Sequence, residues 1–232
     1  SEGDGTGAGI TADGVGIVVS DIKIVGFPEC GVRVAPGASQ VHLFRMRIGA
    51  PAAGLANGSG IEIHSGAHHV VIGRGRELEC VEPVKFEANT NNIGAYDINV
   101  ITANQGFGII AVEASDLSIY GTWIGFNNRD DYGYGDWRWG NGGTGIFLDH
   151  VERAGIGAQY LTETETMDGP DDPLPAFVGV GRNAVGGIEI VGGGNIHMPG
   201  VMLGDTPNMV PYDENMDFNL RIEGNTGPVY FG

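Results

Sequence analysis

The chain repeats one short pattern along most of its length. Residues 60–73 read GIEIHSGAHHVVIG: a glycine, a short alternating strand, a polar break, and a second strand ending in Ile-Gly. Related segments are GIFLDHVERAGIG at 145–157 and GIEIVGGGNIHMPGVMLG at 187–204. Such a repeat constrains the fold strongly, because one unit cannot bury its apolar side chains without stacking on its neighbours.

The residue before the first strand of each unit gives the repeat length. Eight such residues can be aligned: Gly9, Gly31, Gly60, Pro83, Gly108, Gly145, Gly187 and Asn219. The shortest steps between them are 22, 23 and 25 residues, and insertions lengthen the later steps. The strands alternate apolar and polar residues over a few positions, and no segment keeps a helical period, so helix is not predicted.

Glycine numbers 42 of 232 residues and recurs where the strands end. Glycine adopts positive φ without steric cost, as the tight corners of a stacked coil require. Short strands, glycine corners and a period in the twenties predict an all-β chain folded as a parallel β-solenoid. About eight turns are expected, which gives a length of roughly 38 Å at about 4.8 Å per turn.

These units resemble the repeats of right-handed parallel β-helix proteins, the pectate-lyase-like superfamily. That group includes polysaccharide lyases, glycoside hydrolases, alginate epimerases, phage tailspikes and large surface adhesins. The resemblance covers nearly the whole chain and implies a right-handed coil, a carbohydrate-related role, and an extracellular, cell-surface or virion-surface location. It does not imply an activity, because one fold carries many functions.

Residues 1–232 are expected to form one β-helix domain. The last unit, LRIEGNTGPVYFG, stops before a full turn, and no amphipathic helix or polar capping unit is visible at either end. Because solenoids need capped ends, we expect a segment of a longer protein, with neighbouring chains or further domains at both ends.

The middle residue of each first strand is predicted to point outward. In order these residues are Thr11, Arg33, Glu62, Lys85, Ile110, Phe147, Glu189 and Arg221. Opposite charges adjoin along this row, as neighbouring strands prefer. The apolar pair Ile110 and Phe147 interrupts it, which predicts that a loop or a partner covers them.

Three long insertions, 126–143, 158–177 and 205–217, each follow an Ile-Gly or Leu-Gly corner. The sequence therefore predicts long loops on one corner of the coil, rising side by side as one wall. This wall is rich in aromatic residues that could stack on sugars, and one arginine beside them could bond to sugar hydroxyls; the candidates are Tyr132, Tyr134, Trp137, Arg138, Trp139, Tyr160 and Tyr212. An alternative is that Trp137 and Trp139 only anchor their loop against the sheet.

The wall is also rich in carboxylates, which suit Ca²⁺ or acid–base chemistry. Asp168, Asp171 and Asp172 are candidate metal ligands, although DGPDDP also reads as a solvated turn. No cofactor is expected to be required. Ca²⁺ is the ion that these carboxylates could bind. The weak catalytic candidates are Asp130, Asp131, Asp136, Asp149 and His150.

The catalytic motifs of the resembled families are not found. Asp130-Asp131 resembles the adjacent aspartates of polygalacturonases, but the Gly-His-Gly and Arg-Ile-Lys elements are missing, as is the Asp-Pro-His-Glu motif of alginate epimerases. Asp149 and His150 follow one another on a strand, so they can face one cleft only if the chain bends there. Whether the chain is an enzyme is left open.

The formal net charge of −17 makes nucleic acid an unlikely partner, because the surface repels phosphate. No stretch is long and apolar enough for a membrane span. Two cysteines form neither a disulfide scaffold nor a zinc site.

Three functions are left open. The first is a β-helix module that binds carbohydrate and acts on it or not, and the second is a structural or adhesive solenoid such as a spike shaft or surface filament. The third is a polysaccharide lyase, hydrolase or epimerase.

Overall fold

A computed structural model describes residues 7–50, 55–73, 99–125, 140–157, 178–204 and 215–231. These residues form twenty short strands and, within those ranges, no helix. The strands belong to three sheets, in which every neighbouring pair is parallel. The prediction of an all-β, right-handed parallel β-helix is confirmed.

Two of the sheets contain seven strands each. Sheet A contains, in spatial order, β1 Ile10–Ala12, β4 Cys30–Val34, β7 Ser59–Ile63, β10 Ile109–Val112, β13 Ile146–Asp149, β16 Gly186–Val191 and β19 Phe218–Glu223. Sheet B contains β2 Val15–Ser20, β5 Ser39–Phe44, β8 His68–Ile72, β11 Ser115–Ile119, β14 Glu152–Ile156, β17 Gly194–Met198 and β20 Val229–Phe231.

The third sheet contains six strands. Sheet C consists of β3 Lys23–Ile24, β6 Arg47–Ile48, β9 Asn99–Ile101, β12 Thr122–Ile124, β15 Val178–Val180 and β18 Val201–Leu203. One turn of the coil runs from sheet A through sheet B to sheet C, and the chain then returns to sheet A one level along.

The described stack has seven turns, one fewer than the eight aligned units. Strand β7 pairs directly with β10, with Ile61 opposite Ile109, so no strand lies between them. Residues 74–98 instead connect β8 with β9 within the third turn. The triplet after Pro83 has the composition of a first strand, which is why the alignment counted it, and Lys85 is not the neighbour of Glu62.

The core is a column of inward-facing side chains. Val32, Ile61, Ile109, Ile146 and Ile188 follow one another in register on sheet A and are fully buried. Equivalent columns from the other two sheets complete one continuous cluster along the stack. Inward and outward positions alternate on sheet A as the sequence predicts.

A buried ladder of asparagines follows the corner between sheets C and A. Its members are Asn57, Asn104, Asn141, Asn183 and Asn215. In each step the side-chain Nδ2 donates to Oδ1 of the next asparagine, at 2.9 to 3.0 Å. Sequence reasoning missed this ladder, although an asparagine three or four residues before the aligned residue is a visible signal.

The long insertions leave from two corners, and the predicted single wall is wrong. Residues 126–139 and 205–214 each connect a sheet C strand to a sheet A strand, after β12 and β18. Residues 158–177 connect β14 of sheet B to β15 of sheet C. The prediction of one wall failed because Ile-Gly ends strands of both sheet C and sheet B, as Ile124-Gly125 and Ile156-Gly157 illustrate.

Cys30 is a free, fully buried thiol at the start of β4, and Cys80 lies outside the described residues. Burial, assisted by the negative charge of Glu62, raises the pKa of the Cys30 thiol to about 12. In the unfolded chain a thiol ionises near pH 8.5. The neutral thiol therefore favours the folded state at neutral pH, and this contribution is lost as pH rises from about 9 towards 12.

We predict that native Cys30 resists alkylation. In a Cys80→Ser variant, iodoacetamide at about pH 8 should leave the folded protein unmodified, because the thiolate is the nucleophile. The unfolded variant in urea should take up one adduct, measured by intact mass. Rapid modification of the folded variant would contradict the burial of this thiol.

Candidate functional site

The outer face of sheet A carries one row of outward side chains in register. We call this row the outer strip; it consists of Thr11, Arg33, Glu62, Ile110, Phe147, Glu189 and Arg221. Apart from Lys85, the order is the one that the sequence predicts. The strip runs parallel to the axis of the coil, so its members are one strand spacing apart, about 4.8 Å.

The centre of the outer strip is apolar. Ile110 and Phe147 lie opposite each other on β10 and β13, and both are half-buried. The ring of Phe107 lies 5.3 Å from that of Phe147 between centroids, tilted by 33°. Part of each ring stays open to solvent, so the three side chains form a shallow apolar floor on an otherwise polar face.

A charged pair lies at each end of this floor. Glu62 accepts a hydrogen bond from Arg33 at 3.4 Å, and Arg33 also donates to Glu29 at 2.6 Å. At the other end Arg221 donates to Glu189 at 3.2 Å. Such exposed pairs contribute little to stability, but they fix hydrogen-bonding groups beside the floor.

Glu62 and Glu189 cannot act together on one glycosidic bond. Three strand spacings separate them, which is roughly 14 Å along the strip. The paired carboxylates of glycoside hydrolases are about 5 to 9.5 Å apart. These two groups therefore suit binding rather than paired acid catalysis.

The corner between sheets A and B holds an Asp–His pair. His150 has φ 53°, so the chain bends directly after Asp149. The bend allows the side chains of both residues to face the same way, and the Asp149 carboxylate lies 2.5 Å from Nδ1 of His150. An ionised carboxylate only accepts hydrogen bonds, so Nδ1 is the donor. The Nε2 of this exposed imidazole is left as the atom able to accept or release a proton.

Glu113 occupies the equivalent corner position one turn earlier. The positive-φ residues at this corner are Gly14, Gly37, Gly66, Glu113, His150, Gly192, Gly193 and Gly224. Six of the eight are glycine, and the two with side chains lie on adjacent turns, the same turns that carry Ile110 and Phe147. The Glu113 carboxylate accepts a hydrogen bond from Ser65 at 2.8 Å. No sequence pattern distinguished Glu113 in advance.

The corner is built to accommodate the imidazole. A Cβ atom placed on Gly192 would lie 2.9 Å from the His150 ring, so glycine provides the room that the ring occupies. The main-chain N–H of Glu113 donates to the carbonyl of Asp149 at 2.8 Å, which joins the two turns. The corner therefore presents a carboxylate and an oriented imidazole on neighbouring levels, beside the apolar floor.

Asp116 on β11 and Arg153 on β14, just after this corner on sheet B, form an ion pair with each other. Arg153 donates to both oxygens of Asp116, at 2.6 and 2.9 Å. The hydrogen bond from Arg153 is the main reason that the pKa of Asp116 lies below its usual value. Asp116 is thus ionised and engaged at neutral pH, and is a poor proton acceptor.

Most sequence-predicted site residues lie outside the described residues. They are Asp130, Asp131, Tyr132, Tyr134, Asp136, Trp137, Arg138, Trp139, Tyr160, Asp168, Asp171, Asp172 and Tyr212. Their roles remain predictions. Of the two described candidates, Asp149 and His150, the structure brings both together. Trp123 is half-buried on the outer face of sheet C, between Val100 and Gly179.

Within the parts of the chain that the structure describes, no group of three or more His, Cys, Asp or Glu side chains could hold a metal ion. None of the described segments forms a helix long and apolar enough to cross a membrane.

Comparison with known proteins gives one structural likeness. No protein-family model matches the chain, and no curated protein matches it. The chain is similar to the crystal structure of the periplasmic alginate epimerase AlgG, at 12% identity and a TM-score of 0.39. The likeness covers 91% of this chain and 40% of that chain, so this chain spans less than half the length of AlgG. The likeness concerns the fold alone, and the three parallel sheets themselves establish a right-handed parallel β-helix.

Proposed function

We propose that this β-helix is a surface-exposed module that binds carbohydrate on the outer face of sheet A. The observation that carries the proposal is the apolar floor of Ile110, Phe147 and Phe107, set between two Arg–Glu pairs. An aromatic face packs against the apolar face of a sugar ring, and fixed donors and acceptors beside it suit hydroxyl groups. The three side chains form one contiguous apolar patch, and such patches, unlike single exposed apolar residues, mark binding sites.

Two of the three insertions start and end beside this face. The segments 126–139 and 205–214 leave and rejoin the stack at the corner between sheets C and A. We propose that their aromatic residues, Trp137 and Trp139 above all, extend the binding face. The segment 158–177 joins the stack at a different corner, so the proposal does not extend to Tyr160 or to the acids of DGPDDP.

Processing of the bound glycan would fall to the corner pair. His150, oriented by Asp149, suits general acid–base catalysis, since such a group must have a fixed tautomer and an accessible nitrogen. Glu113 on the next turn supplies a second group of this kind. We assign no reaction to them, and binding is the part of the proposal that the floor supports.

The binding proposal predicts a face-specific effect of removing one ring. Phe147→Ala should weaken binding of a glycan identified on an array by about tenfold, equivalent to about 1.4 kcal/mol. The matched control is Phe44→Ala, which removes another half-buried, outward phenylalanine, on sheet B. Titration calorimetry should show wild-type affinity for the control. Equal losses in both variants, or no loss in either, would contradict binding at this face.

A structural or adhesive solenoid is the second candidate function, and one observation favours it. Two residues of the last described turn face inward in register yet are open to solvent: Ile222 is 38% and Phe231 is 61% exposed. A second copy of the stack placed against this end would cover them. If no glycan binds and light scattering shows end-to-end oligomers that Phe231→Asp abolishes, this candidate replaces the first.

A further inference from the structure

We infer that the glycan bound on the outer strip is uncharged, a polymer of neutral sugars rather than of uronic acids. This inference rests on the proposed function and adds the substrate class. It follows from the charges that surround the apolar floor, from the partners of those charges, and from the composition of the segments attached beside it.

The charged groups around the floor are mostly carboxylates. On the outer face of sheet A and its corner with sheet B, together with Glu29, which pairs with Arg33, they are Asp13, Glu29, Glu62, Glu113, Asp149, Glu189 and Glu223, against Arg33 and Arg221. Two positive and seven negative groups give a net charge of −5 when histidines are counted as uncharged. Each carboxylate of a uronic acid chain would meet this field, and the repulsion rises with chain length.

Neither guanidinium of this face is free to neutralise a uronate. Arg33 donates to Glu29 and Glu62, and Arg221 donates to Glu189 and lies 4.3 Å above the ring of Phe218. On the adjoining sheet B, the guanidinium of Arg153 holds Asp116 through two hydrogen bonds. A uronate that bonded to either guanidinium would lie beside the protein carboxylates already paired with it, so like charges would repel each other.

The segments that join the stack beside sheet A add negative charge. Residues 126–139 contain two arginines and three aspartates, a net charge of −1. Residues 205–214 contain two aspartates, one glutamate and no basic residue, a net charge of −3. The whole chain carries −17. The net charge of the whole chain therefore repels a polyanion, as do the charged groups around the floor.

An uncharged oligosaccharide suits the same groups. Its hydroxyls both donate and accept, so they can bond to the Arg33–Glu62 and Glu189–Arg221 pairs without breaking either. Those pairs lie at opposite ends of the floor, roughly 14 Å apart between the two glutamates. A single sugar ring is much shorter than that span, so contact with both pairs requires an oligosaccharide.

The test compares length-matched oligosaccharides of two charge classes on the intact protein. The uncharged set is cello-, xylo- and manno-oligosaccharides, and the charged set is oligogalacturonate and oligomannuronate. Titration calorimetry at low salt, with and without added calcium, should give an uncharged ligand at least tenfold tighter than every uronate. In a Glu223→Gln variant, which neutralises one exposed carboxylate outside the floor, uronate binding should rise while binding of the uncharged ligand stays at the wild-type level.

The possible results distinguish a failure of the preference for uncharged glycans from a failure of glycan binding on sheet A. A uronate that binds as tightly as the uncharged ligands, with calcium or without, and loses affinity in Phe147→Ala would overturn the inference and leave the binding face in place. If no oligosaccharide of either class binds at millimolar concentration, the proposed function itself fails. Uncharged ligands that bind with an affinity independent of Phe147 would also overturn the binding face.

Discussion

Replacing Asn141 by aspartate should destabilise the protein by at least about 3 kcal/mol, enough to unfold a marginal domain. Asn141 is the central member of the buried ladder and is 1% exposed. Its Nδ2 donates to Asn183 at 2.9 Å and to the carbonyl of Ile101 at 3.3 Å. A carboxylate has no proton to donate, so both acceptors would face a buried negative charge.

The matched control is Asn195→Asp. Asn195 is exposed on the second strand of the sixth turn with φ 54°, a conformation that aspartate also tolerates. Urea unfolding should show a change below about 0.5 kcal/mol for this control. The loss in Asn141→Asp should shrink at low pH, because the introduced carboxyl regains a proton there and its folded-state pKa is raised by burial. Equal losses in the two variants would mean that the ladder contributes nothing particular.

The fold could be predicted because it depends on a local rule repeated many times. Alternation decides which side chains face inward, and stacking then places equivalent residues of successive turns beside each other. The order Arg33, Glu62, Ile110, Phe147 on the outer strip follows from that rule alone. Because every turn follows the same alternation of inward and outward residues, one misassigned unit does not change the predicted architecture.

The position of the corners could not be predicted in the same way. A glycine after an isoleucine provides a bend at the end of either a sheet B or a sheet C strand, and nothing local distinguishes the two. Which corner an insertion leaves from depends on pairing between turns, as when Ile156 lies opposite Ile119 on sheet B. The triplet after Pro83 was counted as a turn of sheet A for a similar reason, because nothing local distinguishes it from a first strand.

The candidate site was predictable only in part. Asp149 and His150 were visible as neighbours, and the structure has a bend at His150 that would let both face one cleft. Glu113 was not visible, because its importance comes from lying one turn from His150, in a conformation that glycine adopts elsewhere in the column. Long-range register, rather than sequence spacing, creates that proximity.

Ile63→Asp should prevent the stack from forming. Ile63 is 1% exposed on β7, between Val34 on one side and Ala111 on the other, in the inward column of sheet A. An unpaired carboxylate in that column costs several kcal/mol, since no described polar group faces it there. Ile63→Val, which keeps the site apolar, should cost only about 0.5 to 1.5 kcal/mol.

The neighbouring residue provides the second control, because successive side chains of a strand face opposite ways. Glu62 points outward, and its ion pair with Arg33 is partly open to solvent. Glu62→Ala should therefore cost less than about 1 kcal/mol. Thermal or urea unfolding should show that Ile63→Asp is far less stable than Ile63→Val. The stability of Glu62→Ala should be close to that of the wild type. A Glu62→Ala loss as large as that of Ile63→Asp would mean that the two faces of sheet A are assigned the wrong way round, and with them the apolar floor on which the binding proposal depends.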